Sequence, residues 1–258
     1  YGEAAARDLA PITLELGGKC PVVVADDAPM AQTVERIVAN KFFNAGQTCI
    51  APDFVLVPSH RHNAFVEAAK EALEAAYGDE AKSDLARMVN RGHYDRVHSL
   101  IPSDAIRIGQ DDPDDLFLAP TLVPLSEWEA PCMQEEIFGP VLPIVPYHDL
   151  DDDLARLCRM PSPLALYVFS LRQYFLDAVA TAVPSGSVCF NDAIKQATNL
   201  SLPFGGVGTS GMGRYRGQAG FDAFSNKRAY TKRWFCRDPF LVKPPYGDRL
   251  ASLRKFMK

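Results

Sequence analysis

The stretch PVVVADDAPMAQTVERIVANKFFNAGQTCIAPDFVLVP, residues 21–58, holds the pattern that decides the fold. Apolar runs rich in β-branched residues at 21–25 and 54–58 predict two strands. Between them, apolar side chains recur at helical spacing through 29–43 and predict a helix. Two strands joined by a helix in this way are typical of a parallel sheet.

The same alternation continues along the chain, so we predict an α/β fold in which a mainly parallel sheet is flanked by helices on both faces. The pair Gly17-Gly18 breaks the chain between the first of these strands and a shorter run at 12–16, which follows a short Ala-rich helix at 2–9. Further strands are predicted at 120–124, 141–147, 166–170 and 187–191. Further helices are predicted at 62–77, 90–101, 150–160 and 173–183.

Composition excludes several classes of protein. The chain has 258 residues, 47% of them hydrophobic and 23% charged, which is the usual mix for a soluble globular protein. A net charge of -5 without a basic block argues against a nucleic-acid surface, and the longest apolar runs are strand-sized. Six cysteines without a CxxC pair favour neither a zinc cage nor a disulfide framework. We therefore expect a cytoplasmic protein with no signal peptide, no membrane segment and no nucleic-acid partner.

The two ends of the sequence have their own character. The chain opens at Tyr1, in the middle of a helical pattern and without Met, so we expect it to be a piece of a longer polypeptide. After residue 200 the sequence is glycine-rich to residue 220, and an extended segment at 225–232 and a basic tail follow. This change predicts an edge strand or arm rather than core.

Cys49 closes the run Asn44-Ala45-Gly46-Gln47-Thr48-Cys49 at the end of a predicted helix. A nucleophilic thiol has to be reachable and partly ionised, and an irregular turn rich in backbone N–H groups suits it. Cysteine is also a common small buried hydrophobe, so the residue alone leaves both interpretations open.

Glu15 lies inside the apolar stretch Ile12-Thr13-Leu14-Glu15-Leu16, where a carboxylate is costly without a task or a partner. A semi-buried glutamate with a raised pKa can act as a general base. Alternatively, it caps the end of a strand or pairs with Lys19.

The segment Gln134-Glu135-Glu136-Ile137-Phe138-Gly139-Pro140 places two carboxylates and a ring just before a strand. A carboxylate there can accept hydroxyl groups of a ribose, and the ring can pack on a flat heterocycle. The alternative is a surface turn anchored by Phe138.

The glycine-rich segment LPFGGVGTSGMG, residues 202–213, formally contains the dinucleotide fingerprint GxGxxG. The fingerprint requires a strand directly before it and an acidic residue about twenty positions later, and neither is present. We therefore predict a packed loop that closes over a pocket.

Two further polar clusters predict no metal. His60-Arg61-His62 stands at a strand-to-helix junction and fits a solvated helix start. The run Asp151-Asp152-Asp153 fits the first turn of a helix, where the dipole favours negative charge.

Taken in order, the motifs LELGGK (14–19), FFNAGQTC (42–49), EEIFGPV (135–141) and PFGGVGTSGMG (203–213) resemble those of the aldehyde dehydrogenase superfamily. The separation of Glu15 from Cys49 fits as well, and the match covers nearly the whole chain. The wording APDFVLVP, PLALYVFS and GMGRYRG resembles the class 3 branch, which includes coniferyl and fatty aldehyde dehydrogenases.

This resemblance implies a role for each matching residue. Cys49 is implied as the nucleophile and Glu15 as the general base, with NAD or NADP as cofactor and an aldehyde as substrate. The implied cofactor contacts are Glu136 at the nicotinamide ribose, Phe138 and Leu16 near the nicotinamide, and Phe204 lining the nicotinamide or substrate pocket. Residues 1–213 become the catalytic domain and 214–258 a C-terminal oligomerisation arm and tail of a homodimer or higher homo-oligomer.

Departures from the family pattern qualify this expectation. The cofactor-binding half that normally precedes LELGGK is not in this sequence, so we expect the chain by itself to be inactive or feeble. Cys20 stands where a small polar residue usually follows the lysine, Arg216 replaces a histidine, and Lys195-Gln196 stands where histidine is common. The alternatives to the enzyme are a truncated, non-enzymatic oligomerisation module and a thiol esterase.

Overall fold

A computed structural model describes residues 2–78, 81–235 and 254–255. The chain forms two compact units, residues 1–225 and 226–258. Residues 226–235 contain no strand or helix, so the edge strand expected near 225–232 is not formed there. Residues 236–253 and 256–258 of the predicted arm lie outside the described residues, and the predicted division at 213/214 stays a prediction. Across the described ranges, no helix is both long and apolar enough to cross a bilayer.

The first unit is built on one large sheet, and the predicted α/β class is confirmed. Seven strands follow the order β4-β5-β6-β3-β2-β7-β8, and every neighbouring pair is parallel except β4 with β5. A separate ribbon pairs β1 with β9 in antiparallel fashion. The strands are β1 Leu14–Glu15, β2 Pro21–Val24, β3 Phe54–Pro58, β4 Ile106–Arg107, β5 Thr121–Pro124, β6 Val141–Tyr147, β7 Ala165–Phe169, β8 Ser187–Phe190 and β9 Gly211–Met212.

The helices at 30–42, 62–77, 91–99, 150–159 and 173–182 form where the apolar periodicity predicts them, whereas those at 81–84, 195–198 and 217–223 were not predicted. The described helices are α1 Gly2–Arg7, α2 Met30–Phe42, α3 His62–Tyr77, α4 Ala81–Asp84, α5 Arg91–Ser99, α6 Leu150–Arg159, α7 Gln173–Ala182, α8 Lys195–Thr198 and α9 Gly217–Ala223. The Asp151-Asp152-Asp153 run is the first turn of α6, where the Asp149 side chain accepts from the Asp151 N–H. The acidic run is therefore a helix start, as predicted.

The core has two layers, one on each face of the sheet. Alternate residues of β2 enter different layers: Val22 and Val24 pack with Phe42 of α2, whereas Val23 packs with Leu56 and other residues of the second layer. All four β2 residues are buried because the strand lies at the centre of a sheet covered on both faces.

Parallel strands bring all their amino ends to one edge of the sheet and all their carboxyl ends to the other. We call the loops that enter β2, β3, β6, β7 and β8 the amino edge, and the loops that leave these strands the carboxyl edge. Cys49 lies just before β3, Glu136 just before β6, and Gly17 just before β2. The residues singled out from the sequence therefore converge on the amino edge, whereas doubly wound sheets usually bind ligands at the carboxyl ends.

Candidate active site

The turn that carries Cys49 follows directly from the end of α2. Asn44, Ala45 and Gly46 all have positive φ, between 52° and 70°, so the chain reverses tightly after the helix. A side chain on Gly46 would bring its Cβ within 2.3 Å of the Gly139 carbonyl oxygen. Only glycine allows this close approach, which holds the FNAGQTC and EEIFGP loops together.

Gln47 fastens the same turn to the chain segment that precedes α5. Its amide group donates to the Asn44 and Arg87 carbonyl oxygens at 3.2 and 3.0 Å, and its carbonyl oxygen accepts from the Val89 N–H at 2.9 Å. The Gln47 side-chain amide therefore stabilises the conformation of the turn.

Cys49 is partly exposed at this edge. Burial raises the pKa of its thiol, the negative charges of Glu15 and then Glu136 raise it further, and the backbone N–H groups of Cys49 and Ile50 lower it. Both charges act on the thiol, and the turn of Cys49 meets the Glu136 loop where Gly46 approaches Gly139; we call the space between Cys49, Glu15 and Glu136 the thiol cleft.

Glu15 reaches the thiol cleft from β1, where it lies opposite Gly211 of β9. The residue is exposed, and its carboxylate accepts a hydrogen bond from the Tyr215 hydroxyl at 3.3 Å. Partial desolvation nevertheless raises the pKa of its carboxyl group, against the opposing effects of the Tyr215 hydrogen bond and the Arg216 charge. Of the two alternatives to a base, the pairing with Lys19 is not formed, because the Lys19 ammonium group bonds to Asp53.

Glu136 lies against the glycine pair of the LELGGK segment. A Cβ on Gly17 would stand 1.9 Å from one carboxylate oxygen of Glu136, so any larger residue would displace that group. Burial and the nearby charge of Asp53 raise the pKa of Glu136 to about 7, although the Gly18 N–H and the Lys19 and Arg96 cations oppose the shift. The carboxylate is thus held next to the thiol at an energetic cost.

A buried charge cluster that the sequence did not reveal lies beneath the thiol cleft. Lys19 forms an ion pair with Asp53 and donates to the carbonyl oxygens of Cys132 and Glu135 at 2.8 and 2.9 Å. The other oxygen of Asp53 accepts from the N–H of the residue after Glu136 at 3.0 Å. Lys41 is 1% exposed beside them, and burial lowers its pKa to about 8. The cluster fixes the Glu136 loop to the entrances of β2 and β3.

The three other predicted contact residues lie at the amino edge, in different settings. Phe138 is partly buried and has a positive φ of 49°, and Leu16 is 48% exposed. Phe204 is 5% exposed, packs edge-to-face on Tyr215 with ring centroids 5.8 Å apart, and lies beneath the Arg216 guanidinium at 4.3 Å. Phe204 is therefore a core residue of the glycine-rich loop.

That glycine-rich loop is filled by its own backbone. A Cβ on Gly206 would stand 2.0 Å from the Ser210 carbonyl oxygen, and one on Gly186 would stand 2.4 Å from that of Gly205. These glycines serve close chain packing, which agrees with the prediction that the GxGxxG match is not a dinucleotide loop.

The two histidines of the His60-Arg61-His62 run stand at the start of α3. His60 pairs with Asp26 at 2.7 Å on the carboxyl edge, and His62 begins α3 with its ring 3.0 Å from the Ile144 carbonyl oxygen. Among the residues that the structure describes, no group of His, Cys, Asp and Glu is arranged to hold a metal ion.

The fold and the site together define a class of protein: an α/β domain with a reachable thiol and two carboxylates in one glycine-lined cleft. A family model described as "Aldehyde dehydrogenase family" matches residues 1–230. The chain belongs to the aldehyde dehydrogenase family.

Relatives and solved structures agree. The chain is 44% identical over 256 residues to "Aldehyde dehydrogenase family 3 member B1" of Rattus norvegicus, covering 95% of this chain and 54% of the relative. It is 43% identical to "Aldehyde dehydrogenase, dimeric NADP-preferring" of Mus musculus, covering 89% of this chain and 51% of the relative. The chain therefore spans about half the length of these curated relatives.

Among solved structures, the substrate-bound state of Staphylococcus aureus AldH superposes with a TM-score of 0.93 at 38% identity, over 100% of this chain and 57% of that one. A Mycobacterium tuberculosis aldehyde dehydrogenase complexed with NAD+ gives a TM-score of 0.76 at 29% identity, over 86% of this chain and 48% of that one.

Proposed function

We propose that this chain is the catalytic domain of an aldehyde dehydrogenase that uses NAD or NADP to oxidise aldehydes to carboxylic acids. The proposal is supported by the packing of three segments at the amino edge: the turn of Cys49 meets the Glu136 loop at Gly46 and Gly139, and Glu136 meets the Glu15 segment at Gly17. A thiol and a glutamate with raised pKa are the two groups that thioester chemistry requires, one to attack and one to move a proton.

Cys49 is the nucleophile in this proposal. Its sulfur gives up a proton to a base and forms a bond to the aldehyde carbon, which yields a thiohemiacetal whose oxyanion can accept from the Cys49 backbone N–H. Because burial, and then the charges of Glu15 and Glu136, raise the pKa of the thiol, proton transfer to a nearby base is a necessary part of the attack.

Glu15 is the general base in this proposal. Once the aldehyde carbon has lost hydride, it is bound to Cys49 as a thioester. Glu15 then takes a proton from water, the water oxygen bonds to the acyl carbon, and the Cys49 thiol and the acid are released. The raised pKa of Glu15 suits this task, since a base with a pKa nearer to neutral accepts protons more readily.

The residues around Glu136 fit the nicotinamide–ribose end of the cofactor. A nicotinamide cofactor bound there would supply the hydride acceptor for the reaction. Glu136 offers a carboxylate for ribose hydroxyls, next to a glycine without a Cβ and to the exposed apolar side chain of Leu16. Phe138 would pack near the nicotinamide ring, and Phe204 would support the same side of the pocket from within the core. One relative is named as NADP-preferring, and a different aldehyde dehydrogenase is solved in complex with NAD+. Together they support either cofactor.

Other parts of the proposal concern the whole protein. The name "dimeric" of one relative supports a homo-oligomer, with residues 214–258 as the arm. Composition supports a cytoplasmic location. Three of the five histidines, His60, His62 and His148, lie beyond the carboxyl ends of β3 and β6, which favours a carboxylate base over the histidine that a thiol esterase would use.

The test is aldehyde-dependent formation of reduced cofactor by the product of the complete gene, followed by absorbance with aromatic or medium-chain aldehydes. Cys49→Ala is expected to lower kcat by about a thousandfold or more, because no other group can form the thioester. The matched control is Cys158→Ala, an exposed cysteine of α6, which should leave kcat unchanged. Substantial turnover by the Cys49→Ala protein would contradict the proposal.

A further inference from the structure

The turn that presents Cys49 is held at three successive carbonyl groups. The Thr48 carbonyl oxygen accepts from the Ala51 N–H at 2.9 Å, and that of Cys49 accepts from the Cys20 thiol at 3.5 Å. The Ile50 carbonyl oxygen accepts from the Tyr167 hydroxyl. Each peptide plane of the turn therefore has a fixed direction.

The Tyr167 bond acts on the plane that closes the turn over Cys49. The Ile50 carbonyl belongs to the same peptide unit as the Ala51 N–H, so Tyr167 holds one end of this unit and Thr48 the other. The preceding unit supplies the Ile50 N–H that lies at the Cys49 sulfur. A rotation of one plane would turn its neighbour, and with it a donor that stabilises the thiolate.

Tyr167 is suited to hold a position. It stands on β7, between β2 and the edge strand β8, is paired with Val22 on one side and Cys189 on the other, and is fully buried. Burial raises the pKa of its hydroxyl well above the ordinary value, so the group remains a donor at physiological pH.

Gln196 orients the Tyr167 hydroxyl. Its side-chain N–H group lies 3.4 Å from the Tyr167 oxygen and 3.3 Å from the Ser187 hydroxyl. Because the Tyr167 oxygen accepts from Gln196, its own hydrogen is directed to the Ile50 carbonyl oxygen. A chain of hydrogen bonds thus runs from α8 through Tyr167 to the residue after the thiol.

We propose that Tyr167 is a positioning residue for the Cys49 thiol, acting through the Ile50 carbonyl group and oriented by Gln196. The inference rests on the proposed role of Cys49 as nucleophile. Glu15, Glu136 and Cys20 also face this thiol and stay in place in the variants below, so a change can be assigned to the hydrogen-bond chain.

The experiment measures alkylation of Cys49 by iodoacetamide in the 258-residue chain, from neutral to moderately alkaline pH, with peptide mass spectrometry to resolve the cysteines. Tyr167→Phe should slow the labelling of Cys49 about three- to tenfold and move its pH profile to higher pH, because the thiolate loses an aligned donor. The matched control is Tyr147→Phe, which removes a hydroxyl that donates to the Val24 carbonyl oxygen at 2.9 Å beyond the opposite edge. That variant should lose comparable stability and keep the parent profile.

The outcomes separate the inference from the proposed function. A parent chain whose Cys49 is not alkylated at any pH in the range would contradict the nucleophile role. A reactive Cys49 whose pH profile is the same in Tyr167→Phe as in the parent would overturn the positioning role alone. Should Tyr167→Phe fail to fold, Gln196→Leu decides: a slower, shifted profile supports the inference, and an unchanged profile overturns it.

Discussion

The amino and carboxyl edges of the same sheet are built on opposite principles. At the carboxyl edge, His60 and Asp26 form a solvent-exposed pair in which both side chains keep most of their hydration, and Arg172 forms a partly exposed pair with Asp27. At the amino edge, Lys41 and Asp53 are buried, Glu136 has a pKa of about 7, and glycines touch the backbone of neighbouring loops.

The comparison shows which edge of the sheet carries the features that lower the stability of the fold. Buried charge and left-handed backbone cost free energy, and such costs persist where the surrounding structure holds them for a function. The carboxyl edge is the usual ligand-binding edge of such sheets, but its charge pairs are wholly or partly exposed to solvent. The change in the free energy of unfolding should therefore be larger for substitutions at the amino edge than for those at the carboxyl edge. For one residue of the amino edge, Glu136, a substitution should increase stability.

The largest effect is expected at Gly46. In Gly46→Ala the new Cβ meets the Gly139 carbonyl oxygen at 2.3 Å while the backbone keeps a positive φ of 70°. Strain and overpacking together should lower the free energy of unfolding by about 3 kcal/mol or more, measured by urea denaturation of the 258-residue chain.

Gly109→Ala is the control for this substitution. Gly109 also has a positive φ, of 93°, but a Cβ there meets nothing within 4 Å. It should cost only about 1–2 kcal/mol, the backbone part of the penalty. Equal losses in the two variants would show that the contact between the two loops is not tight, and the comparison of edges would lose its main support.

An effect of opposite sign is expected at Glu136. Its folded-state pKa of about 7 exceeds the ordinary value of 4.5, so the folded protein binds a proton more tightly than the unfolded chain. The free energy of unfolding of the parent should therefore fall as pH rises from about 4.5 to about 7. Glu136→Gln removes this fall and should be more stable than the parent by up to about 3 kcal/mol above pH 7, with little difference near pH 4.5.

The neighbouring Glu135 gives the matched control. Its side chain is 49% exposed and pairs with Arg96 at 2.9 Å, so Glu135→Gln should change stability by no more than about 0.5 kcal/mol. Urea denaturation at the two pH values measures both variants. A Glu136→Gln protein that is less stable than the parent at high pH would show that the carboxylate is well satisfied and is not held at a cost.

How far the sequence predicts this molecule differs between fold and site. The apolar pattern predicts strands β3 and β6 because the sheet buries both of their faces. It predicts helix α3 because one regular face of the helix is buried. The apolar run at 12–16 forms a strand only at Leu14–Glu15, the two residues that pair with β9. That pairing spans most of the chain, and local patterns do not encode it.

Within the site, the motif resemblance points to Cys49, Glu15 and Glu136, but the sequence does not reveal the buried polar residues that hold their loops in place. Lys41, Asp53 and Tyr167 each stand beside or within apolar runs, where a single polar residue reads as a tolerated exception. Their partners are distant in sequence, as Tyr167 and Ile50 are. A buried polar residue inside an apolar run is the signal that could have found them, because such a group needs a partner.

The smallest effect is expected at the carboxyl edge. His60→Ala breaks the pair with Asp26, in which both side chains are about two-thirds exposed, at 65% and 64%. Exposed pairs contribute little, so stability should change by no more than about 0.5 kcal/mol and dehydrogenase activity not at all. A loss of activity in this variant, measured by reduced-cofactor formation, would show that the carboxyl edge takes part in the reaction and would contradict an active site at the amino edge.

The central claim, that Cys49 and Glu15 act on one carbon at the amino edge, is tested most directly by trapping the thioester. The Glu15→Gln variant of the complete gene product is incubated with an aldehyde and oxidised NAD or NADP, then quenched in acid and measured by intact and peptide mass spectrometry. The account predicts that the Cys49 peptide gains the mass of the aldehyde minus two hydrogen atoms, because hydride transfer proceeds while hydrolysis is slowed. Turnover at the parent rate with no adduct, or an adduct on another residue, would contradict it.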